Sequence, residues 1–148
     1  MRLLETVEIP TLPGFWELSV EARRRGMKQA VVSSSVRPQV EAPLRRMLEG
    51  QAETSDPYTH FDAIITGDDV THTKPAPDIY LLALEKLDLP ASDAIAFEDT
   101  PTGVKSAAAA GITVYAVPNR YTQELQFPEA AGMLNSLTDA VPLLGRTG

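Results

Sequence analysis

The chain has 148 residues, 43% of them hydrophobic and 22% charged, an ordinary globular composition with enough length for one domain and a sizeable core. Its 13 basic against 20 acidic residues give a net charge of −7, which argues against non-specific binding to nucleic acid or to an anionic membrane. Cysteine is absent and the only histidines are His60 and His72, which excludes disulfides, thiol nucleophiles, Cys-based zinc sites and His-rich metal centres; no apolar run approaches the ~20 residues of a membrane span, the N-terminus lacks the apolar core of a signal peptide, and a cytoplasmic location is expected.

Pro13-Gly14 opens a helix with Phe15, Leu18 and Ala22 on one face. Arg23-Arg24-Arg25 fall in its last turn, where cations suit the helix dipole, and Gly26 stops it. The basic triplet reads as a solvated helix end rather than a binding patch. Gln29–Val32 is a short buried strand. Val40, Leu44, Met47 and Leu48 then recur at helical spacing up to Gly50, with Pro43 expected to kink that helix. A polar stretch, Gln51–Tyr58, leads to a strand at Phe61–Thr66.

Pro77 and Asp78 suit a first helical turn, and Ile79, Leu82, Ala83 and Leu87 continue its apolar face. Ala94–Phe97 is a strand, followed by Thr100 as N-cap and Pro101 as the first helical residue. The alanine-rich helix stops at Gly111, and Ile112–Val117 is a further strand. The tail reads as short helical pieces around a strand near Met133-Leu134. Alternating strands and helices predict an α/β fold with a Rossmann-like, doubly wound parallel sheet. Functional groups then gather beyond the carboxyl ends of the strands.

Three segments fall at those ends. Ser33 ends a strand in Val31-Val32-Ser33-Ser34-Ser35, where a hydroxyl beside free backbone N–H groups can grip a phosphate oxygen; the plainer role is a helix cap. Lys74 lies in Thr73-Lys74-Pro75-Ala76-Pro77-Asp78. The two prolines reduce the entropy lost in fixing its ammonium against a phosphate or an aspartate nucleophile, and an exposed surface lysine is the alternative. Glu98-Asp99 follow an apolar strand directly, and carboxylates at a strand tip suit Mg²⁺, which binds through one or two of them and keeps several waters. The competing role there is Asp99 as a helix cap with Glu98 solvated. Asp68-Asp69 read as turn acids, the two histidines as surface or packing residues, and Phe15 and Trp16 as core.

In this order and spacing the segments resemble those of the haloacid dehalogenase superfamily of phosphohydrolases. The closest likeness is to the branch containing β-phosphoglucomutase and 2-deoxyglucose-6-phosphate phosphatase. The resemblance runs from about Leu12 to Leu144. It implies that Ser33, with Ser34, binds phosphate, and that Lys74 neutralises the nucleophile and the transferred phosphoryl group. In Phe97-Glu98-Asp99-Thr100-Pro101-Thr102-Gly103 it implies that Asp99 ligates Mg²⁺ and that Glu98 assists. Val117-Pro118-Asn119 also fits the family pattern. The substrate implied is a small phosphorylated metabolite such as a sugar phosphate, hydrolysed or isomerised.

The chain departs from the family's pattern in a minor way at Thr73, where a glycine is common before the lysine, and severely in one other respect. The family's Asp-x-Asp-x-Thr segment carries the nucleophile and the general acid/base, and no Asp-x-Asp occurs here. The 148 residues are therefore expected to form a single partial core domain, with residues 1–12 a remnant of cap or linker. Phosphatase activity by this chain alone is expected to be negligible, and Mg²⁺ binding weak or absent. A catalytically silent phosphate- or Mg²⁺-binding or interaction fragment is the alternative. A receiver domain of a signalling relay needs acids after its first strand and a phosphoacceptor aspartate after its third, which does not match this order. With the family's central nucleophile strand missing, three outcomes are physically open. The flanking strands pair directly, Leu3–Ile9 fills the slot, or a second copy associates through the exposed sheet edges. The second and third are favoured, because Thr, Val and Ile suit a strand and direct pairing would force the flanking helices to repack.

Overall fold

The computed structural model describes residues 3–5, 14–50 and 55–145, with Leu3–Glu5 described by backbone alone. Eleven elements follow in chain order: β1 (Leu3–Glu5), α1 (Phe15–Arg24), β2 (Gln29–Val32), α2 (Arg37–Leu48), α3 (Pro57–His60), β3 (Ala63–Ile65), α4 (Asp78–Leu87), β4 (Ile95–Glu98), α5 (Pro101–Ala109), β5 (Thr113–Ala116) and β6 (Gly132–Met133). Short 3₁₀ turns lie at Gly67–Asp69, Ala91–Asp93 and Leu137–Gly145. The strands form one sheet in the order β3-β2-β1-β4-β5-β6, and every pairing is parallel.

The slot between β2 and β4 is filled by residues of Leu3–Ile9, one of the two favoured outcomes, so the sheet does have a central strand. Leu3, Leu4 and Glu5 pair with Gln29, Ala30 and Val31 on one side, and Leu4 and Glu5 with Ala96 and Phe97 on the other. Residues 3–5 of the presumed linker are thus the middle of the sheet, and the segment satisfies both inner edges through its backbone. The remainder of Leu3–Ile9 lies outside the described residues.

Period-two alternation divides the core between the two faces of the sheet. Val31, Ile64, Ile95 and Phe97 face Phe15 and Leu18 of α1, Val40 and Leu44 of α2, and Leu137 and Leu144 of the C-terminal turn. Ala30, Val32, Ile65, Ala96 and Val114 face Ile79, Tyr80 and Ala83 of α4 and Val104 and Ala107 of α5. The small residues Ala30 and Ala96 allow α4 and α5 to approach the second face closely.

Local signals in the sequence are realised at most boundaries. Thr100 caps α5 by accepting the Gly103 N–H at 3.1 Å, and Pro101 follows as the first helical residue. Gly14 opens α1 at φ +85°, where a Cβ would lie 2.3 Å from the Thr138 nitrogen; no other residue fits that position without moving the C-terminal turn. The strand expected at Phe61–Thr66 is shorter. A four-residue helix, α3, precedes it, with the Asp56 carboxylate accepting the Tyr58 N–H at 3.0 Å, and Phe61 packs in the core as the chain leaves α3. Trp16, expected in the core, is half-buried and stacks on His60 with ring centroids 5.4 Å apart. Among the described residues no helix is long and apolar enough to cross a membrane.

Candidate active site

The carboxyl ends of β2 and β4 flank the central strand, and polar side chains converge there. Ser33 continues β2 and is fully buried. Its N–H donates to the Ile65 carbonyl at 2.9 Å, and its Oγ accepts the Ser35 N–H at 3.1 Å. That second bond tightens the turn out of the strand. The Ser34 Oγ is enclosed and has no hydrogen-bond partner. A buried hydroxyl in that state costs free energy unless a ligand satisfies it, as an oxygen-rich anion would.

Lys74 is delivered to the same corner by the loop before α4. Its Nζ donates to the Val32 carbonyl at 3.1 Å and to Glu98 Oε2 at 2.7 Å. The two side chains are only 5% and 2% exposed. Lys74 is therefore not the surface lysine that the sequence left open, and Glu98 is not solvated. The loop is anchored from behind by the Ser106 hydroxyl of α5, which donates to the Ala76 carbonyl at 2.6 Å. The Lys74–Pro75 peptide bond is cis.

Glu98 is enclosed, with 1% of its surface exposed. Tyr80 Oη of α4 also donates to its Oε2, at 2.5 Å, and the Lys74 ammonium stands 5.5 Å over the Tyr80 ring. On the far side the carboxylate rests against Gly103, where a Cβ would come 1.8 Å from Oε1. Glu98 thus acts first as the lysine's counter-ion.

Asp99, 7% exposed, is held from the other direction. Asn119 Nδ2 donates to its Oδ2 at 3.0 Å and the Thr122 hydroxyl to its backbone carbonyl at 2.7 Å. Its carboxylate is a hard oxygen donor at the mouth of the sheet, which suits a Mg²⁺ ion that keeps most of its waters. Among the described residues no group of three or more acidic, histidine or cysteine side chains surrounds a common point. Asp99, with Glu98 behind it, is the donor set these residues supply.

The remaining candidates lie elsewhere. Asp69 closes a capping box on Thr66 and pairs with Arg37; burial alone would raise its carboxyl pKa, but the Thr66 N–H and the Arg37 guanidinium outweigh that and lower it. Asp68 accepts the Arg37 N–H at 2.9 Å. His72 is exposed, 3.4 Å from Asp78. His60 is buried at the opposite end of β2, packed against Trp16 and Phe61.

Sequence reasoning missed Tyr80, Gly103 and Thr122. Tyr80 reads as one more apolar residue on α4, Gly103 as a helix position with a weak propensity, and Thr122 as loop. The one usable signal was Asn119 closing Val117-Pro118-Asn119 just after a strand.

Comparison with known proteins points the same way. The model of the haloacid dehalogenase-like hydrolase family matches residues 3–111. The protein CbbY of Cereibacter sphaeroides is 37% identical over 145 residues, which cover 98% of this chain and 61% of CbbY. A phosphorylated carbohydrates phosphatase of Thermotoga maritima is 34% identical over 100 residues, 68% of this chain and 43% of that enzyme. A crystal structure of CbbY from Rhodobacter sphaeroides in complex with phosphate superposes with a TM-score of 0.80 at 36% identity, over 87% of this chain and 55% of that one. A variant of that CbbY in complex with xylulose-(1,5)bisphosphate gives the same TM-score at 37% identity, over 86% and 55%. The chain spans about three-fifths of the length of the CbbY proteins it matches, 61% and 63%.

Proposed function

The chain belongs to the haloacid dehalogenase-like hydrolases, and from that premise we propose that it carries the phosphate- and metal-holding part of a Mg²⁺-dependent phosphohydrolase acting on a sugar phosphate or a similar small phosphorylated metabolite. The observation that carries this reading is the corner where Lys74 is fixed between the Val32 carbonyl and Glu98, beside Ser33 and one residue from Asp99. A buried ammonium and a buried hydroxyl at the tips of parallel strands form a preorganised cradle for the oxygens of a transferring phosphoryl group. Ser33 and Ser34 would bind those oxygens, Lys74 would offset the charge that gathers on them, and Asp99 would hold Mg²⁺, with Glu98 assisting behind it. When bound, Mg²⁺ supplies Lewis-acid neutralisation of that charge.

By itself the chain should be catalytically silent. Its sequence contains no Asp-x-Asp. The Ser33 hydroxyl has no histidine to activate it, since His60 lies at the amino end of the sheet against Ser19 and His72 faces Asp78. Loss of a covalent nucleophile removes most of the acceleration of such an enzyme. The stabilisers of charge remain, and so the expected residual property is weak Mg²⁺-dependent binding of phosphate.

Titration of inorganic phosphate in the presence of Mg²⁺, followed by ³¹P resonance, tests the reading. Binding that is weakened in both Ser33→Ala and Asp99→Asn supports it; binding unchanged in both overturns it. A parallel assay with p-nitrophenyl phosphate and sugar phosphates should show no turnover. Turnover on the order of 1 s⁻¹ that the same substitutions abolish would place a nucleophile within these 148 residues.

A further inference from the structure

We propose that Asn119 and Thr122 are positioning residues that set Asp99 as a metal ligand, an inference that rests on the metal-binding reading above. The two residues form a closed hydrogen-bonded unit in the loop after β5. Asn119 Oδ1 accepts the backbone N–H groups of Tyr121 at 2.8 Å and Thr122 at 3.1 Å. These two hydrogen bonds accepted by its oxygen fix which way the amide points. A flipped amide would forfeit both bonds and set its oxygen against a carboxylate. Nδ2 is therefore committed to Asp99 Oδ2, 3.0 Å away.

Thr122, 8% exposed, fastens the same unit to the backbone of Asp99. Its hydroxyl accepts the Asn119 N–H at 3.0 Å and has one proton to give. The shorter of its oxygen contacts is the Asp99 carbonyl at 2.7 Å, against 3.2 Å to Asn119 Oδ1. Asp99 is thus gripped twice, at its carboxylate by a residue 20 positions away and at its carbonyl by one 23 positions away. The Val117 N–H donates to the Glu98 carbonyl at 2.7 Å, so the loop that bears Asn119 is tied directly to the strand tip that bears both acids. Such partners fix the plane and rotamer of a ligating carboxylate, and their loss typically costs 10–100-fold in metal affinity.

The test is Mn²⁺ titration of the 148-residue chain, with the unbound ion read from its electron paramagnetic resonance signal. Wild type is compared with Asp99→Asn, Asn119→Ala, Thr122→Val and Thr122→Ser. Asp99→Asn should lose the binding. Asn119→Ala and Thr122→Val should each weaken it about 10-fold, and Thr122→Ser, which keeps the hydroxyl, should restore it. The melting temperature of each metal-free variant is measured beside the titration. Thr122→Val that melts earlier yet binds Mn²⁺ as wild type does, at a temperature where it is folded, gives Thr122 a purely structural role and overturns the proposal. If Asn119→Ala does not fold, the Thr122→Val and Thr122→Ser pair decides the matter. Equal binding by wild type and Asp99→Asn, or none by wild type, overturns the metal reading and this proposal with it.

Discussion

Strand β2 has a buried polar cluster at each of its ends, and the two are built on different principles. At the carboxyl end Lys74 and Glu98 form an ion pair with almost no access to water, and Tyr80 supports the carboxylate. At the amino end a neutral network closes on itself. The Ser19 hydroxyl donates to Gln29 Oε1 at 2.8 Å and Gln29 Nε2 donates to the Ser19 carbonyl at 3.0 Å; outside this neutral pair, the exposed Asp62 carboxylate accepts the Gln29 N–H at 2.7 Å. A neutral network joins helix to strand at little electrostatic cost. A buried charge pair carries a large desolvation cost and contributes little to stability in return. The place where the molecule keeps charge away from water is the place where a charged ligand would use it.

The two ends should respond differently to damage. Lys74→Ala would leave Glu98 as an uncompensated buried carboxylate, a change that costs about 3–5 kcal/mol. Urea unfolding would show it, and a second substitution, Glu98→Gln, should recover much of the loss. Gly103→Ala should come next. Its new Cβ would meet Glu98 Oε1 at 1.8 Å, and the carboxylate cannot retreat without leaving both Lys74 and Tyr80. Overpacking of this kind costs about 1–3 kcal/mol, and the upper part of that range is expected. Ser19→Ala at the amino end should cost about 1–2 kcal/mol, since it strands Gln29 Oε1 and the His60 ring nitrogen without involving a full charge. Equal losses at Lys74 and Ser19 would break the comparison.

What the sequence disclosed of these regions follows from how local each signal is. Thr100-Pro101 and the apolar spacing of α1, α4 and α5 are short-range patterns, and they predict those elements to within a residue or two. Ser33, Lys74 and Asp99 are legible as candidates because each stands next to a strand end or just ahead of two prolines. The partnership of Glu98 with Tyr80 and Gly103 was invisible, because it depends on the packing of α4 and α5 on one face of the sheet. The Ser19–Gln29–His60 network was invisible for the same reason: two polar residues 10 and 41 positions from Ser19 meet it only once β2 and α3 are in place. Leu3–Glu5 became the central strand through pairing on both sides, and three residues carry too short a pattern to specify that alone.

The smallest expected effect is a pH dependence confined to the amino end. Because the Ser19 proton is given to Gln29, the Ser19 oxygen can only accept from His60, whose Nε2 lies 3.0 Å away. Neutral His60 is thereby fixed with its proton on Nε2, and protonation would add a second proton on Nδ1 of a buried ring. Burial pushes the His60 pKa below its ordinary value of 6.5, and the Arg23 charge pushes the same way; Asp62 opposes them. The unfolded chain, with His60 near 6.5, then binds more protons than the folded chain as the pH falls below 6.5. The neutral form contributes its stability fully above that pH and loses it as the pH drops towards the lowered folded value. For a single group the slope cannot exceed about 1.4 kcal/mol per pH unit. Unfolding of wild type and His60→Gln between pH 7.5 and 5 should diverge below 6.5, with the glutamine variant losing less, since its amide can still donate to Ser19 without titrating. Parallel curves would show that the amino-end cluster tolerates a charge, and the contrast between the two ends would then rest on the lysine–glutamate pair alone.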